Sequence, residues 1–286
     1  MSTRLAWVSA RAARGRDDDE AHALSGLRRA GVVVDVVAWD DPAVRWGSYD
    51  RAVLRSTWDY VQRLDEFLAW LTAVEQQTDL RNPPAMVRWN LDKRYLAELG
   101  RAAVPVPDTA FVAPGEPATF STGEFVVKPA VGAGSRDAAS YGPDQHDAAT
   151  AHVRRLHAAG TVALVQPLLR SVAVDGEWDL VFLGGRYSHA ANKRVALPRA
   201  GLVDDLFAKE TVTPHVADAE QIEVARRAVD VAAERFGMPF YARVDLVRDD
   251  RGESRVLELE LVEPSLFLSQ APPEALDRLV SVFATA

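Results

Sequence analysis

The stretch FVVKPAVGAGSR, residues 125–136, begins as a run of apolar residues and ends as a glycine-rich loop. The apolar run predicts a buried strand, and Lys128 is the charged residue that this strand delivers to the loop. Gly132 and Gly134 allow the backbone to approach an anion closely with its N–H groups turned inward, and Ser135 adds a side-chain donor. The stretch therefore favours a phosphate-binding loop. An ordinary glycine-rich turn after a core strand remains the alternative, because short glycine patterns are common.

Near the end of the chain, the strings YARVDL and VLELEL predict two alternating strands joined by the turn DDRG. Side chains two apart on a strand share a face, so Arg243 and Asp245 point the same way. Glu258 and Glu260 share a face of the second strand for the same reason. If the strands pair, like charges crowd together, and a hard cation such as Mg²⁺ is the usual reason for holding carboxylates so closely. The alternative is a hairpin with one solvent-facing surface.

The composition narrows the class of protein. A chain of 286 residues is long enough for two or three α/β units with sizeable cores. A formal net charge of −8 argues against nucleic acid or an anionic membrane as the main partner. The absence of cysteine excludes disulfides, thiolate metal sites and cysteine nucleophiles. With no signal-like start and no apolar run of membrane length, we expect a cytoplasmic protein that binds a small polyanion. Association into a homo-oligomer is left open.

Strands and helices alternate along the chain, which predicts an α/β protein. Strands are predicted at residues 5–10, 32–39, 52–55, 162–169, 177–183, 186–194 and 209–213, and helices at residues 20–30, 64–77, 90–103, 144–159, 218–236 and 273–283. The strand–helix–strand order at the start predicts a parallel sheet wound with helices. The string NPP at residues 82–84 marks a first boundary, and Asn90 is expected to cap the helix that follows it. The sequence pattern does not predict a secondary structure for residues 195–209.

Taken in order, these pieces resemble the ATP-grasp ligases. The carriers of the resemblance are Lys93 in NLDKRYLAELG, Lys128 with its glycine loop, the apolar strand that ends in QPLL, the Arg243/Asp245 pair and the Glu258/Glu260 pair. The resemblance implies an N-terminal parallel-sheet α/β domain over residues 1–85. It also implies two α+β lobes, residues 86–168 and 169–286, that enclose ATP between them.

The same resemblance implies cofactors and roles. ATP is expected to contact Lys93, Lys128, Gly132, Gly134, Ser135, Gln166, Pro167, Leu168, Leu169 and Glu177. Mg²⁺ is expected on Asp245, Glu258 and Glu260. Glu263 is a rival ligand, since the family usually has asparagine where Glu260 stands. Arg243, with Lys193 or Arg194, is expected to meet an acyl phosphate. The choice between Lys193 and Arg194 stays open because VALPRAGLVDDLFAKET follows them in place of a compact basic stretch.

A subgroup resemblance goes further. The strings RSTWDY, FLAWL, SHA and EPSLFL are similar to ATP-grasp enzymes related to the O-ureido-D-serine cyclo-ligase of D-cycloserine biosynthesis. Such enzymes activate a carboxylate with ATP and close a five-membered ring. A small-molecule carboxylate is therefore the expected substrate, bound by Arg55, Ser56, Thr57 and Asp59. These residues end the last strand of the first domain, where ligands collect in open α/β sheets.

Three functions remain open on the sequence alone. The first is an ATP-dependent cyclo-ligase, and the second is a ligase that joins a carboxylate to a separate amine. The third is a non-catalytic nucleotide-binding scaffold on the same fold. The scaffold would be expected to have lost its metal carboxylates, yet Asp245, Glu258 and Glu260 are all present.

Overall fold

A computed structural model of the chain describes residues 3–195 and 210–285. Its strands are β1 (Arg4–Ser9), β2 (Val33–Ala38), β3 (Arg51–Ser56), β4 (Asp79–Arg81), β5 (Ala110–Val112), β6 (Phe125–Pro129), β7 (Ala139–Tyr141), β8 (Ala163–Pro167), β9 (Glu177–Leu183), β10 (Arg186–Val195), β11 (Glu210–His215), β12 (Tyr241–Arg248) and β13 (Ser254–Glu260). Its α-helices are α1 (Glu20–Arg29), α2 (Leu64–Val74), α3 (Pro84–Asn90), α4 (Tyr95–Arg101), α5 (His146–Ala158), α6 (Ser171–Val174), α7 (Ala219–Phe236) and α8 (Glu274–Ala284). None of the helices in these ranges is long and apolar enough to cross a membrane.

Most predicted elements occur with their ends shifted by a few residues. The strand predicted at 209–213 is β11, but Lys209 and the rest of residues 196–209 lie outside the described residues. The helix predicted at 90–103 is the exception to this agreement and is discussed below.

The first sheet is parallel throughout, in the order β2-β1-β3-β4. The central strands β1 and β3 are buried along almost their whole length, as expected when helices cover both faces. Helix α2 packs its apolar stripe, which includes Phe67 and Leu71, into the core that holds Ala6 and Leu54 of the sheet. The predicted parallel sheet at the start of the chain is confirmed.

Two antiparallel sheets follow. The smaller has the order β5-β8-β6-β7 and carries α5 on one face, with Phe125, Val153 and Leu156 in their shared core. The larger has the order β11-β10-β9-β12-β13 and is covered by α7. Arg243 pairs with Glu260 across the β12–β13 hairpin. The predicted carboxylate hairpin is therefore present, and Asp245 lies opposite Glu258 in it.

The prediction that Asn90 caps a helix is wrong. Asn90 ends α3, and a turn that contains Lys93 separates α3 from α4. Its side chain donates to the backbone carbonyl of Leu259 and accepts from the backbone N–H of Leu261, both at 2.7 Å. Asn90 therefore bridges α3 to the carboxylate hairpin, and both ends of its amide are used.

Asn82, at the predicted boundary, makes a second bridge to the same hairpin. It is fully buried, donates to the carbonyls of Tyr241 and Leu261, and accepts from the N–H of Phe240. The connection after the first sheet is thus anchored to the large sheet at a residue that sequence analysis treated only as a chain break. The division of the chain at residues 85 and 168 stays a prediction.

We predict that Asn90→Asp destabilises the protein by about 2–4 kcal/mol, because each buried polar group left unsatisfied costs about 1–3 kcal/mol. The carboxylate cannot donate to Leu259 and places an oxygen against its carbonyl. Urea unfolding measures the change. The matched control is Asp218→Asn, at the residue that caps α7 through the N–H of Gln221. Asn and Asp are equivalent caps, so this variant is expected to be nearly neutral. A neutral Asn90→Asp would show that the bridge contributes nothing.

Candidate active site

One large cavity lies between the two antiparallel sheets. The glycine loop after β6 and the end of β8 form part of its wall, and the inner face of the large sheet forms another part. All ten residues predicted to contact ATP line it, namely Lys93, Lys128, Gly132, Gly134, Ser135, Gln166, Pro167, Leu168, Leu169 and Glu177. Residues that lie far apart in the sequence are thus brought to a single surface.

The glycine loop is held by Lys93. The backbone N–H of Lys93 donates to Ala130 at 2.8 Å, and its ammonium group donates to the carbonyl of Gly132 at 2.7 Å. Gly134 has a φ of +61°, a left-handed conformation that glycine adopts without strain. The loop is therefore shaped by a lysine that reaches it from the turn between α3 and α4.

Lys128 differs from Lys93 in its partners. Lys93 forms an ion pair with Glu258 at 2.8 Å. The side chain of Lys128 makes no hydrogen bond or ion pair with any of the described residues, although it is half-buried at the cavity wall. Burial lowers the pKa of Lys128, and the nearby charge of Glu258 opposes that shift. A phosphate group in the cavity would supply the anion that this lysine lacks.

The carboxylates of the hairpin converge as predicted. Asp245, Glu258 and Glu260 each place an oxygen within 4.8 Å of the others, an arrangement of hard oxygen ligands that fits Mg²⁺. Arg243 bridges two of them, with contacts of 2.7 Å to Asp245 and 2.6 Å to Glu260. Burial, with the charges of Asp245 and Glu258, raises the pKa of Glu260 to about 7. Burial also acts to raise the pKa of Asp245, but Arg243 and Lys193 outweigh it and hold that pKa well below its usual range.

Lys193 is enclosed by carboxylates. Its ammonium nitrogen lies 3.1 Å from Glu177, 3.2 Å from Asp179 and 3.1 Å from Asp245. These anions hold the pKa of Lys193 well above its usual value despite burial, which acts to lower it. Arg194, the next residue on β10, is exposed and does not line the cavity. Of the two alternatives, strand alternation thus places Lys193 at the cavity and Arg194 outside it.

Asp179 is a site residue that the sequence analysis missed. It is fully buried, and it lies opposite Asp245 in the pairing of β9 with β12. Burial and the charge of Asp245 raise its pKa well above the usual range. A signal was present, because Glu177 and Asp179 are two apart on a predicted strand and must share a face.

The residues predicted to bind the substrate lie outside the cavity. The guanidinium of Arg55 is 1% exposed, packs over the rings of Trp7 and Tyr241 and donates to the carbonyl of Pro264. The other three are also buried: Ser56 donates to Ser9, Thr57 is enclosed, and Asp59 accepts from the indole of Trp39. None of the four lines the cavity, so the structure gives no support to their assignment as substrate contacts. Within this motif it is Trp58 that reaches the cavity.

Residues in the segments that follow β1 and β3 instead position the segment at residues 263–268. Asp19 accepts from the backbone N–H groups of Leu266 and Leu268, and Trp58 donates to the carbonyl of Glu263 at 3.1 Å. Glu263, Ser265 and Phe267 of this segment line the cavity. Phe267 has a φ of +51° and places its ring 5.3 Å from the guanidinium of Arg243. Contacts from the start of the chain therefore decide the shape of one wall of the site.

Comparisons with known proteins agree with this architecture. The N-terminal domain model of D-cycloserine synthetase DcsG matches residues 5–82. The cycloserine biosynthesis protein DcsG of Streptomyces lavendulae is 38% identical over 273 residues, which are 91% of this chain and 91% of that protein. The chain belongs to the D-cycloserine synthetase family. The crystal structure of D-cycloserine synthetase DcsG matches with a TM-score of 0.90 and 37% identity over 98% of each chain.

More distant structures show the fold of the D-cycloserine synthetase family. The ATP-grasp ligase PsnB, solved with a variant of its minimal precursor, Mg and ADP, has a TM-score of 0.65 at 19% identity over 99% of each chain. The D-alanine–D-alanine ligase of Bacillus anthracis in complex with ATP has a TM-score of 0.67 at 14% identity over 99% of this chain and 95% of its own. The predicted ATP-grasp fold is confirmed, and this member of the family is an ATP-grasp ligase.

We predict that Lys193→Met destabilises the protein by about 3–5 kcal/mol, because it leaves buried carboxylates without their cation. Adding Asp179→Asn should recover part of this loss, since it removes one of the uncompensated charges. Denaturant unfolding of the single and double variants measures the coupling. Glu263→Gln, which is not paired with Lys193, serves as the control and is expected to be additive with Lys193→Met. If the stability effects of Asp179→Asn and Lys193→Met were also additive, the two residues would not be coupled, and the proposed ion-pair cluster would be contradicted.

Proposed function

We propose that the protein is an ATP-dependent cyclo-ligase that converts O-ureido-D-serine into D-cycloserine. The observation that carries the proposal is the match to a D-cycloserine synthetase over nearly the whole chain, at a TM-score of 0.90. The cavity supports it, because the phosphate loop, the hairpin carboxylates and two paired cations all line one space.

The cavity residues divide into two groups in this proposal. Lys93, Lys128 and the N–H groups of the glycine loop hold the ATP phosphates. The backbone at residues 166–169 reads the adenine edge, and Glu177 accepts from ribose. Asp245, Glu258 and Glu260 would hold Mg²⁺, which neutralises phosphate oxygens when it is bound.

The chemistry begins with the substrate carboxylate. One of its oxygens attacks the γ-phosphorus of ATP, ADP leaves, and an acyl phosphate forms. Arg243 and Lys193 face this position with positive charge that stabilises the phosphate oxygens. The cavity wall serves further to keep water from the acyl phosphate until the ring closes.

Ring closure uses a nitrogen that is already part of the substrate. The nitrogen bonded to oxygen attacks the acyl carbon, and phosphate leaves. The carbamoyl group on that nitrogen is absent from cycloserine, so water must remove it as carbon dioxide and ammonia. A tethered nucleophile has an effective molarity of about 10⁵–10⁸ M once the chain is folded back, so a strong general base is not required.

The other two functions are less well supported. A non-catalytic scaffold does not require the carboxylate cluster, which is complete. A ligase for a separate amine shares the nucleotide site and differs in its products, so an assay of the products separates it from the cyclo-ligase.

We predict that the protein, O-ureido-D-serine, Mg²⁺ and ATP together yield D-cycloserine, ADP and ammonia without any added amine. Mass spectrometry of the mixture identifies the cyclic product, and a coupled assay follows ADP. ADP release that requires a separate amine, together with a linear amide product, would replace the cyclo-ligase with the intermolecular ligase.

We further predict that Asp245→Asn and Glu258→Gln each lower ADP formation by at least about 100-fold, because each removes charge that stabilises the transferred phosphoryl group. Circular dichroism and thermal unfolding should show that both variants still fold. The control is Glu263→Gln, which should leave the Mg²⁺ concentration for half-maximal rate unchanged. Normal turnover by both variants would remove these residues from the metal site.

A further inference from the structure

The carboxylates of the cavity differ in whether the chain supplies them with a cation. Those with a lysine or arginine nitrogen within 4.0 Å are Glu177 and Asp245 with Lys193, Glu258 with Lys93, and Glu260 with Arg243. Glu263 has no such partner among the residues that the structure describes. Burial raises the pKa of Glu263, and the hydroxyl of Tyr60 opposes that shift. Glu263 is also 8% exposed, so water offers it little compensation.

Glu263 does not belong to the metal cluster. In the described parts of the chain, the acidic groups close enough to share one ion are Asp245 with Glu258 and Glu260, or Asp245 with Glu177 and Asp179. Glu263 is in neither group. Since Mg²⁺ is held by carboxylates that converge on it, a carboxyl outside the cluster suits a cation that needs a single anionic partner.

The surroundings of Glu263 fit an organic ammonium group. Trp58, whose indole donates to the backbone of Glu263, lines the same cavity, and so does Phe267. Aromatic faces beside a carboxylate favour an ammonium ion over a hydrated metal. Tyr60 and Glu263 also line a small recess that opens beside Lys93 and the glycine loop.

Arg243 places a positive charge beside the same segment of the cavity wall. Arg243 donates to the carbonyl of Ser265, two residues from Glu263, and lies against the ring of Phe267. This wall therefore presents a guanidinium group for a carboxylate and a carboxylate for an ammonium group. An α-amino carboxylate carries both charges on one carbon.

We propose that Glu263 binds the α-ammonium group of the substrate and restricts the site to α-amino carboxylates. The inference rests on the proposed function and assigns the substrate specificity of the same cavity. Glu263 is a specificity residue in this scheme and holds neither nucleotide nor metal.

The test compares O-ureido-D-serine with its deamino analogue, in which hydrogen replaces the α-ammonium group. Calorimetry in the presence of Mg²⁺ and a non-hydrolysable ATP analogue measures binding of each compound without requiring turnover. The wild-type protein should bind the amino compound about 10- to 100-fold more tightly, as expected for a charge-assisted contact. Glu263→Gln should bind both compounds about equally while its affinity for the ATP analogue is unchanged.

The matched control is Asp59→Asn, which changes a buried carboxyl of the neighbouring motif that lies outside the cavity. It should keep the preference for the amino compound. Equal binding of both compounds by the wild type, or a preserved preference in Glu263→Gln, overturns the inference and leaves the cyclo-ligase intact. A higher Mg²⁺ concentration for half-maximal rate in Glu263→Gln also overturns the inference, because Glu263 would then be a metal ligand. If the wild type binds neither compound, the proposed substrate fails and the inference fails with it.

Discussion

The inner face of the sheet formed by β9, β10, β12 and β13 carries more negative charge than a protein interior tolerates without compensation. Lys193 and Arg243 provide that compensation from within the same sheet, each in contact with more than one carboxylate. Strand register sets the positions of these cations. A one-residue shift of a strand would therefore separate the lysine and arginine from the carboxylates that they neutralise. The catalytic surface and the stability of the sheet thus depend on the same ion pairs.

Much of this surface was predictable because strand periodicity is a local property. A two-residue alternation was enough to put Asp245, Glu258 and Glu260 on one face. The same rule applied to β9 adds Asp179, which is two residues from Glu177 and therefore shares its face. Periodicity also separates Lys193 from Arg194, a choice that composition alone left open.

The failures concern residues whose partners are distant in the sequence. Asn90 has the residue type of a helix cap, but its partners are in the hairpin, 169 and 171 residues away. Arg55 lies at a strand end, where ligands often bind, but its guanidinium is buried against Tyr241 and donates to the carbonyl of Pro264. Local patterns give no information on such contacts. The cavity wall at residues 263–268 is accordingly a C-terminal segment that Asp19 and Trp58, near the start of the chain, hold in place.

Lys93 joins the glycine loop to the carboxylates of the β12–β13 hairpin, since its ammonium contacts the carbonyl of Gly132 and the carboxylate of Glu258 together. A nucleotide phosphate that draws Lys93 toward itself leaves Glu258 with an uncompensated charge in a buried site. A divalent ion arriving with that phosphate restores the balance in the same event. With the proposed roles of these residues, charge balance within the cavity therefore favours the entry of nucleotide and metal as one complex.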